Sequence, residues 1–185
     1  MEVKNEDSLP YLKSLSDNSV DLILTEPPYQ VVGEPKEDLI EWERTRPEYL
    51  KEIFRVSKNQ IIWGWRHIFV PYPEGGIIKW GDYEAYSSFG DLRVEGKLKE
   101  KLHPYEIPLE ISKQLIEKYT KRGDLVVDPF CGAGGVLLAA KQLGRRYVGI
   151  EATNKYYLIS KARLQDCDSF WHTKRRGLAR LFSKG

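Results

Sequence analysis

The spacing of hydrophobic and polar residues predicts an alternation of strands and helices along most of the chain. Residues 20–25 contain the apolar run Leu22, Ile23 and Leu24, which is typical of a strand buried on both faces of a sheet. In residues 46–56, Leu50, Ile53 and Phe54 have the spacing of one helical face. The same criteria predict strands at 2–4, 60–65, 76–80, 83–89, 124–128 and 146–151, and helices at 7–15 (capped by Asp7 or Ser8), 108–120, 133–143 and 154–164.

The order of these elements predicts an α/β fold with a mixed, mostly parallel sheet and helices on both faces. Strand and helix alternate from residue 124 to 164, as in parallel strands joined by crossover helices. Residues 83–89 alternate like one antiparallel strand, whereas 31–45 and 90–102 are charged and are expected to be exposed connections. The 185 residues, 41% of them hydrophobic, suit a single domain over 1–185.

Composition argues against a disulfide-stabilised, zinc-binding or membrane-spanning protein. The net charge of +2 is too balanced to indicate nucleic-acid binding by itself. Two cysteines are too few for a disulfide framework and lack the clustered spacing of a zinc site, so we expect no metal. No apolar stretch approaches ~18 residues, so we expect a cytoplasmic protein without a membrane span.

The C-terminal segment, residues 166–185, is locally basic. From position 174 to position 184 it contains no acidic residue. Its cations are suited to phosphate contacts with a nucleic acid, and they are equally suited to a solvated tail. The candidate nucleic-acid-binding residues are Lys174, Arg175, Arg176 and Arg180.

Glu26, Pro27, Pro28 and Tyr29 form a candidate binding site directly after the strand at 20–25. Because the prolines lack N–H groups, carbonyl oxygens here are left to accept hydrogen bonds from a ligand beside the Glu26 carboxylate. Tyr29 adds a ring that can stack. These features suit a flat group that carries an NH2. The alternative is a strand that ends in an ordinary Pro-Pro turn.

A second candidate site is the glycine-rich loop after the strand at 124–128. Gly132 and Gly134 permit positive φ and close approach of a ligand. The dinucleotide pattern G-x-G-x-x-G fails, because Leu137 occupies its third glycine position. Glu151 ends the next strand, where a carboxylate can hold both hydroxyls of a ribose. The loop therefore predicts a nucleoside site, and its alternative is a tight structural turn.

Carboxylates around this loop favour a cationic ligand. Asp128, Glu151 and Asp7 would stabilise a sulfonium nucleoside such as S-adenosylmethionine, which needs no phosphate cradle. In the alternative interpretation, Asp128 merely caps the turn.

Taken together, these segments resemble the S-adenosylmethionine-dependent amino-methyltransferases of DNA, which make N6-methyladenine or N4-methylcytosine. The resemblance covers nearly the whole length of the chain. Because the Pro-Pro motif precedes the glycine motif, it implies the β group, whose Rossmann-like sheet is circularly permuted. The segments that carry the resemblance are 5–9, 19–29, 103–110 and 128–134.

The resemblance implies a role for each matching residue. Glu26 and the Pro27 carbonyl would hold the exocyclic amine of a base flipped out of DNA, Pro28 would complete the motif, and Tyr29 would stack on the base. The implied cofactor-binding residues are Asp7 at the adenine, Glu151 at the ribose hydroxyls, Asp128, Phe130, Gly132 and Gly134 along the methionine and ribose, His103 at the methionine end, and also Thr25 and Glu26.

Three departures from the family pattern keep several hypotheses open. Glu26 occupies a position that is usually aspartate in adenine enzymes and often serine in cytosine enzymes, so it favours adenine and shifts the acceptor by roughly one bond. Ile107 replaces a common lysine, and no separate target-recognition domain is expected before His103. The leading hypothesis is adenine-N6 methylation of DNA, reduced in rate by Glu26. The alternatives are a cofactor-binding subunit of low activity that needs a partner, or homodimer, for DNA recognition, and methylation of cytosine N4. Methylation of RNA or a protein amide through a similar site is a further alternative, which the order of the motifs disfavours.

Overall fold

A single sheet runs through the part of the chain that the computed structural model describes, which is residues 1–28, 47–64, 76–80, 83–88, 92–93 and 107–165. Within these ranges the sheet has eight strands, in the order β1-β8-β7-β2-β3-β5-β4-β6. In chain order they are β1 Glu2–Lys4, β2 Leu22–Thr25, β3 Gln60–Trp63, β4 Gly76–Trp80, β5 Tyr83–Ser87, β6 Leu92–Arg93, β7 Leu125–Asp128 and β8 Arg146–Ile150.

Most neighbouring strands in this sheet are parallel. β1, β8, β7, β2 and β3 form a continuous parallel series. β5 runs antiparallel to both β3 and β4, and β4 pairs in parallel with β6. The predicted α/β fold with a mostly parallel sheet is confirmed.

Helices cover both faces of the sheet, and strand β2 explains why. Leu22 and Leu24 belong to the hydrophobic cluster that includes Leu137, whereas Ile23 lies between them in sequence and belongs to the opposite cluster with Ile53. Successive side chains of a strand point to opposite faces, so the apolar residues Leu22, Ile23 and Leu24 serve both clusters. The helices are α1 Ser8–Ser14, α2 Pro47–Val56, α3 Leu109–Tyr119, α4 Gly135–Gln142 and α5 Asn154–Gln165. In the described ranges, none of these helices combines the length and the apolar character that a bilayer crossing requires.

Some element boundaries differ from the sequence predictions for identifiable reasons. Residues 90–102, expected to be a connection, include β6, which is too short to show a period. Helix α4 begins at Gly135 rather than at 133, because Gly132 and Gly134 have φ values of 49° and 77° that a right-handed helix excludes. The expected surface loop 31–45 and the basic C-terminal segment lie outside the described residues.

Candidate functional site

The carboxyl ends of four neighbouring strands bring several predicted site residues to one edge of the sheet. In the order β1, β8, β7 and β2, the chain reaches this edge at Asn5, Glu151, Asp128 and Glu26. Neighbouring strands are ~4.8 Å apart, so the four positions span about 14 Å. Open α/β sheets bind ligands at this edge, and the span suits a molecule of nucleoside size.

Asp128, the last residue of β7, is a deeply buried carboxyl group that is only 3% exposed. Its Oδ1 accepts a 2.6 Å hydrogen bond from the hydroxyl of Thr25 on β2 and a 3.2 Å bond from the backbone N–H of Phe130. Burial, together with the charges of Glu151 and Glu26, raises the pKa of Asp128 to about 7 against the effect of both bonds. A positive charge nearby would therefore stabilise the ionised form of this group.

Glu151, which follows β8, is tied to the glycine loop. Its Oε2 accepts a 2.8 Å hydrogen bond from the N–H of Gly132, and its Oε1 accepts a 2.8 Å bond from the N–H of Thr153. The side chain amide of Asn5 donates to the backbone carbonyl of Glu151 at 2.8 Å. Since an ionised carboxylate offers about four acceptor positions, the two amide bonds fix the orientation of Glu151 without excluding hydroxyl donors.

Four backbone amides of the glycine loop, residues 129–134, are hydrogen-bonded within the protein. The N–H of Gly134 donates to the carbonyl of Cys131 at 2.7 Å, and the N–H of Cys131 donates to the carbonyl of Ile150 at 2.9 Å. The amides of Phe130 and Gly132 bind the two carboxylates already described. A phosphate cradle needs such amides for the ligand, and the carboxylates would repel its charge. The loop therefore does not fit a diphosphate, in agreement with the failed dinucleotide pattern.

Helix α5 shapes the glycine loop from a distant part of the chain. A Cβ atom added to Gly134 would lie 2.9 Å from Cβ of Ser160, so even alanine does not fit without a shift. Arg163, also buried, donates from Nη1 to the carbonyl of Ala133 at 3.2 Å. The loop conformation thus depends on α5 as well as on its own glycines.

Asp7, predicted to lie at a cofactor adenine, is connected to the glycine loop through Tyr49. Oδ1 of Asp7 accepts a 2.9 Å bond from the N–H of Leu9, which makes Asp7 the N-cap of α1, and a 2.6 Å bond from the hydroxyl of Tyr49. The rings of Tyr49 and Phe130 lie 5.5 Å apart with an interplanar angle of 53°. The sequence does not distinguish Tyr49 as a site residue, because beside Leu50 and Ile53 it has the pattern of an ordinary core position of α2.

Glu26 follows β2 at the same edge and is half-buried, Pro27 is buried and Pro28 is half-buried. The contribution of Glu26 to the raised pKa of Asp128 means that these two carboxyl groups share one electrostatic environment. Cys131 is buried, and its thiol pKa is raised well above the usual range by that burial. A buried thiol of this kind is a packing residue rather than a nucleophile. The predicted residues Tyr29, His103, Lys174, Arg175, Arg176 and Arg180 lie outside the described part of the chain.

A profile of the N6_N4_Mtase family, described as DNA methylase, matches residues 62–162. The chain belongs to this family of DNA methylases. The predicted family is confirmed, and its members use S-adenosylmethionine to methylate adenine N6 or cytosine N4. The described residues fit that cofactor, because Asp128 and Glu151 offer carboxylates to a cationic nucleoside and the loop amides are not arranged for phosphates.

Individual relatives agree with this family. The chain is 28% identical over 199 residues to YubD of Escherichia coli (strain K12), provisionally named a methylase, with 85% of this chain and 87% of YubD covered. It is 45% identical over 102 residues to the type II methyltransferase M.HindIII of Haemophilus influenzae, with 54% of this chain covered. The chain spans only 33% of M.HindIII and 24% of the type II methyltransferase M2.DpnII of Streptococcus pneumoniae.

Solved structures of low sequence identity share the fold. The cytosine-N4-specific PvuII DNA methyltransferase has a TM-score of 0.69 and 15% identity, with 90% of this chain and 87% of that chain covered. TTHA0409 of Thermus thermophilus, provisionally named a DNA modification methylase, has a TM-score of 0.64 and 21% identity, with 91% and 95% covered. These neighbours confirm the Rossmann-like methyltransferase fold.

Proposed function

We propose that this protein transfers a methyl group from S-adenosylmethionine to the exocyclic amine of a base flipped out of DNA, and that the base is adenine, methylated at N6. The observation that carries the proposal is the hydrogen bond between Thr25 and Asp128, 2.6 Å long. It joins the end of β2, where Glu26 begins the Pro-Pro motif, to the carboxyl group predicted for the cofactor. The order of these two motifs along the chain supports membership of the β group.

Four of the described site residues have a defined role in this proposal. Glu151 holds the ribose hydroxyls, and Asp128 supplies negative charge beside the cationic cofactor. When bound, the cofactor supplies the electrophilic methyl group. Glu26 and the Pro27 carbonyl accept hydrogen bonds from the two amine hydrogens of the base, which stabilises positive charge on the nitrogen as it is methylated.

The proposal extends to residues outside the described part of the chain. Tyr29 stacks on the flipped base, and this stacking offsets part of the free-energy cost of unstacking, which is a few kcal/mol. His103 approaches the methionine end of the cofactor. The basic C-terminal segment binds phosphates, which positions the duplex without reading its sequence. The chain forms a single methyltransferase domain. Its loops, or a second subunit, make the remaining DNA contacts.

Glu26 determines how fast this chemistry proceeds. Its side chain is one methylene longer than that of aspartate, and a displacement of ~1 Å at a reacting centre can cost on the order of 100-fold in rate. This length favours a second candidate function, in which the chain binds the cofactor but methylates slowly without a partner. A third candidate is methylation of cytosine N4, which presents the same kind of amine.

Transfer of a radiolabelled methyl group to DNA tests the proposal. The wild type is compared with Glu26→Asp, with Glu26→Gln, and with Glu48→Asp as a control, since Glu48 is an exposed residue in the first turn of α2. If Glu26→Gln abolishes labelling and Glu48→Asp leaves it unchanged, the result supports the role of Glu26. Digestion of the product to nucleosides then distinguishes N6-methyladenine from N4-methylcytosine.

The comparison also separates the candidate functions. Faster labelling by Glu26→Asp identifies the longer side chain as the limiting feature. If wild type and Glu26→Asp both bind S-adenosylmethionine but neither labels DNA, the isolated chain is not the enzyme and the subunit hypothesis replaces it.

A further inference from the structure

Tyr49 occupies a position that none of the roles above explains. It lies on α2 and is 3% exposed, yet its hydroxyl group reaches the start of α1 to bind Asp7. A buried tyrosine hydroxyl usually has a hydrogen-bonding partner. Here the partner is a carboxylate at the ligand-binding edge of the sheet, 42 positions away in the chain.

The hydrogen bond divides the two oxygens of Asp7 between different tasks. Oδ1 receives both the hydroxyl of Tyr49 at 2.6 Å and the N–H of Leu9 at 2.9 Å. Within the described residues, Oδ2 receives no hydrogen bond from either group. Two donors on one oxygen fix the rotation of the carboxylate, and they leave Oδ2 as the oxygen that can accept a hydrogen bond from a ligand.

The ring of Tyr49 also contacts the glycine loop. It packs against Phe130 of the glycine loop with centroids 5.5 Å apart and the planes inclined by 53°. This tilted arrangement is favourable for an aromatic pair and restricts rotation of the Phe130 ring. One side chain therefore orients both a carboxylate acceptor and an aromatic ring.

We propose that Tyr49 is a positioning residue for the adenine of the cofactor. It orients Asp7 so that Oδ2 accepts a hydrogen bond from a 6-amino group, and it orients Phe130 against the purine ring. A 6-oxo purine places an acceptor opposite the same carboxylate oxygen, so the pair Tyr49 and Asp7 selects an aminopurine over an oxopurine. This inference rests on the proposed cofactor, but not on the proposed DNA base.

Binding measurements with two cofactor products test the inference. S-adenosylhomocysteine carries the 6-amino group, and S-inosylhomocysteine carries a 6-oxo group in its place. We expect Tyr49→Phe to weaken binding of the first about tenfold and to change binding of the second little, so that the preference falls about tenfold. Tyr11→Phe is the control, because it removes a hydroxyl from α1, and the described residues show no hydrogen bond from that hydroxyl to Asp7.

A positioning role also predicts non-additivity. Asp7→Ser keeps a residue able to cap α1 but removes the carboxylate. In this background Tyr49→Phe should no longer change the preference between the two ligands. The preference is a ratio measured within one folded variant, so a general loss of stability does not alter it.

The possible results are distinct. Equal weakening of both ligands by Tyr49→Phe, or no change in either, overturns the positioning role while leaving the cofactor proposal intact. Absence of S-adenosylhomocysteine binding by the wild type overturns the cofactor proposal together with this inference.

Discussion

The hydroxyl of Thr25 donates a 2.6 Å hydrogen bond to Oδ1 of Asp128, across two neighbouring parallel strands. Both residues are buried, so the bond lies where water competes little. It connects the strand end that carries the Pro-Pro motif directly to the strand end that carries the glycine loop. Substitution of either Thr25 or Asp128 should therefore affect both motifs.

Thr25→Val should destabilise the protein by about 1–3 kcal/mol, because a buried carboxylate loses a donor. The Thr25 bond lowers the pKa of Asp128, so loss of the bond should raise that pKa from about 7 to a higher value. Denaturant unfolding at several pH values measures both effects. Thr25→Ser retains the hydroxyl and should behave like the wild type, and a similar loss in that control would mean that the methyl group rather than the bond matters.

The stability of the cofactor-free protein should fall as pH rises from 4 to 7. The pKa of Asp128 rises from its ordinary value of 3.8 to about 7 on folding, so between these values the folded state holds a proton that the unfolded state has released. The favourable contribution of about 4 kcal/mol is complete below pH 3.8 and is lost progressively between pH 3.8 and about 7. Unfolding of the wild type is compared with Asp128→Asn, whose stability should vary less over this window.

Binding of S-adenosylmethionine should have the opposite pH dependence. The cationic ligand favours ionised Asp128, so its affinity should increase as pH rises from about 6 to 8, approaching tenfold per pH unit below 7. Asp128→Asn should bind more weakly and without this dependence. Calorimetric titrations at three pH values provide the measurement, and a flat wild-type profile would contradict the role of Asp128.

Gly134→Ala should destabilise the protein by about 2–4 kcal/mol. The new Cβ would meet Cβ of Ser160 at 2.9 Å in addition to the strain of a φ of 77°. Gly123→Ala is a matched control, since Gly123 has a φ of 90° but nothing lies within 4 Å of an added Cβ. It should cost only the conformational strain, about 1–2 kcal/mol. Equal losses in urea unfolding would mean that α5 does not constrain the loop.

Glu151→Gln should weaken cofactor binding by about tenfold or more while leaving the fold intact. One oxygen remains an acceptor, but the new NH2 group faces an N–H of Gly132 or Thr153, where two donors oppose each other. Glu117→Gln, on the exposed face of α3, is the control. Unchanged affinity for S-adenosylhomocysteine in Glu151→Gln would exclude a ribose-binding role.

The parts of the site that sequence predicted are those set by local chemistry. Gly132 and Gly134 have the positive φ values that glycine favours, and Asp128 ends a strand whose apolar residues already predicted burial. The alternation of strand and helix indicated the parallel sheet, and hence the common edge for Asp128 and Glu151.

The parts that sequence missed depend on contacts between distant segments. Tyr49 meets Asp7 only because α1 and α2 pack on the same face of the sheet, and no periodicity encodes that meeting. The raised pKa of Asp128 likewise follows from burial and from neighbours on other strands. Neither spacing nor composition carries this information.

The contact between Gly134 and α5 has a consequence for fragments of this chain. A peptide that stopped after β8 would contain the strand and all the glycines of the loop, yet it would lack Ser160 and Arg163, which press on the loop and hold the carbonyl of Ala133. Such a fragment would contain the sequence motif of a cofactor site but would lack the helix that fixes the conformation of the loop. The binding loop is in this sense completed only when the last described helix has folded onto it.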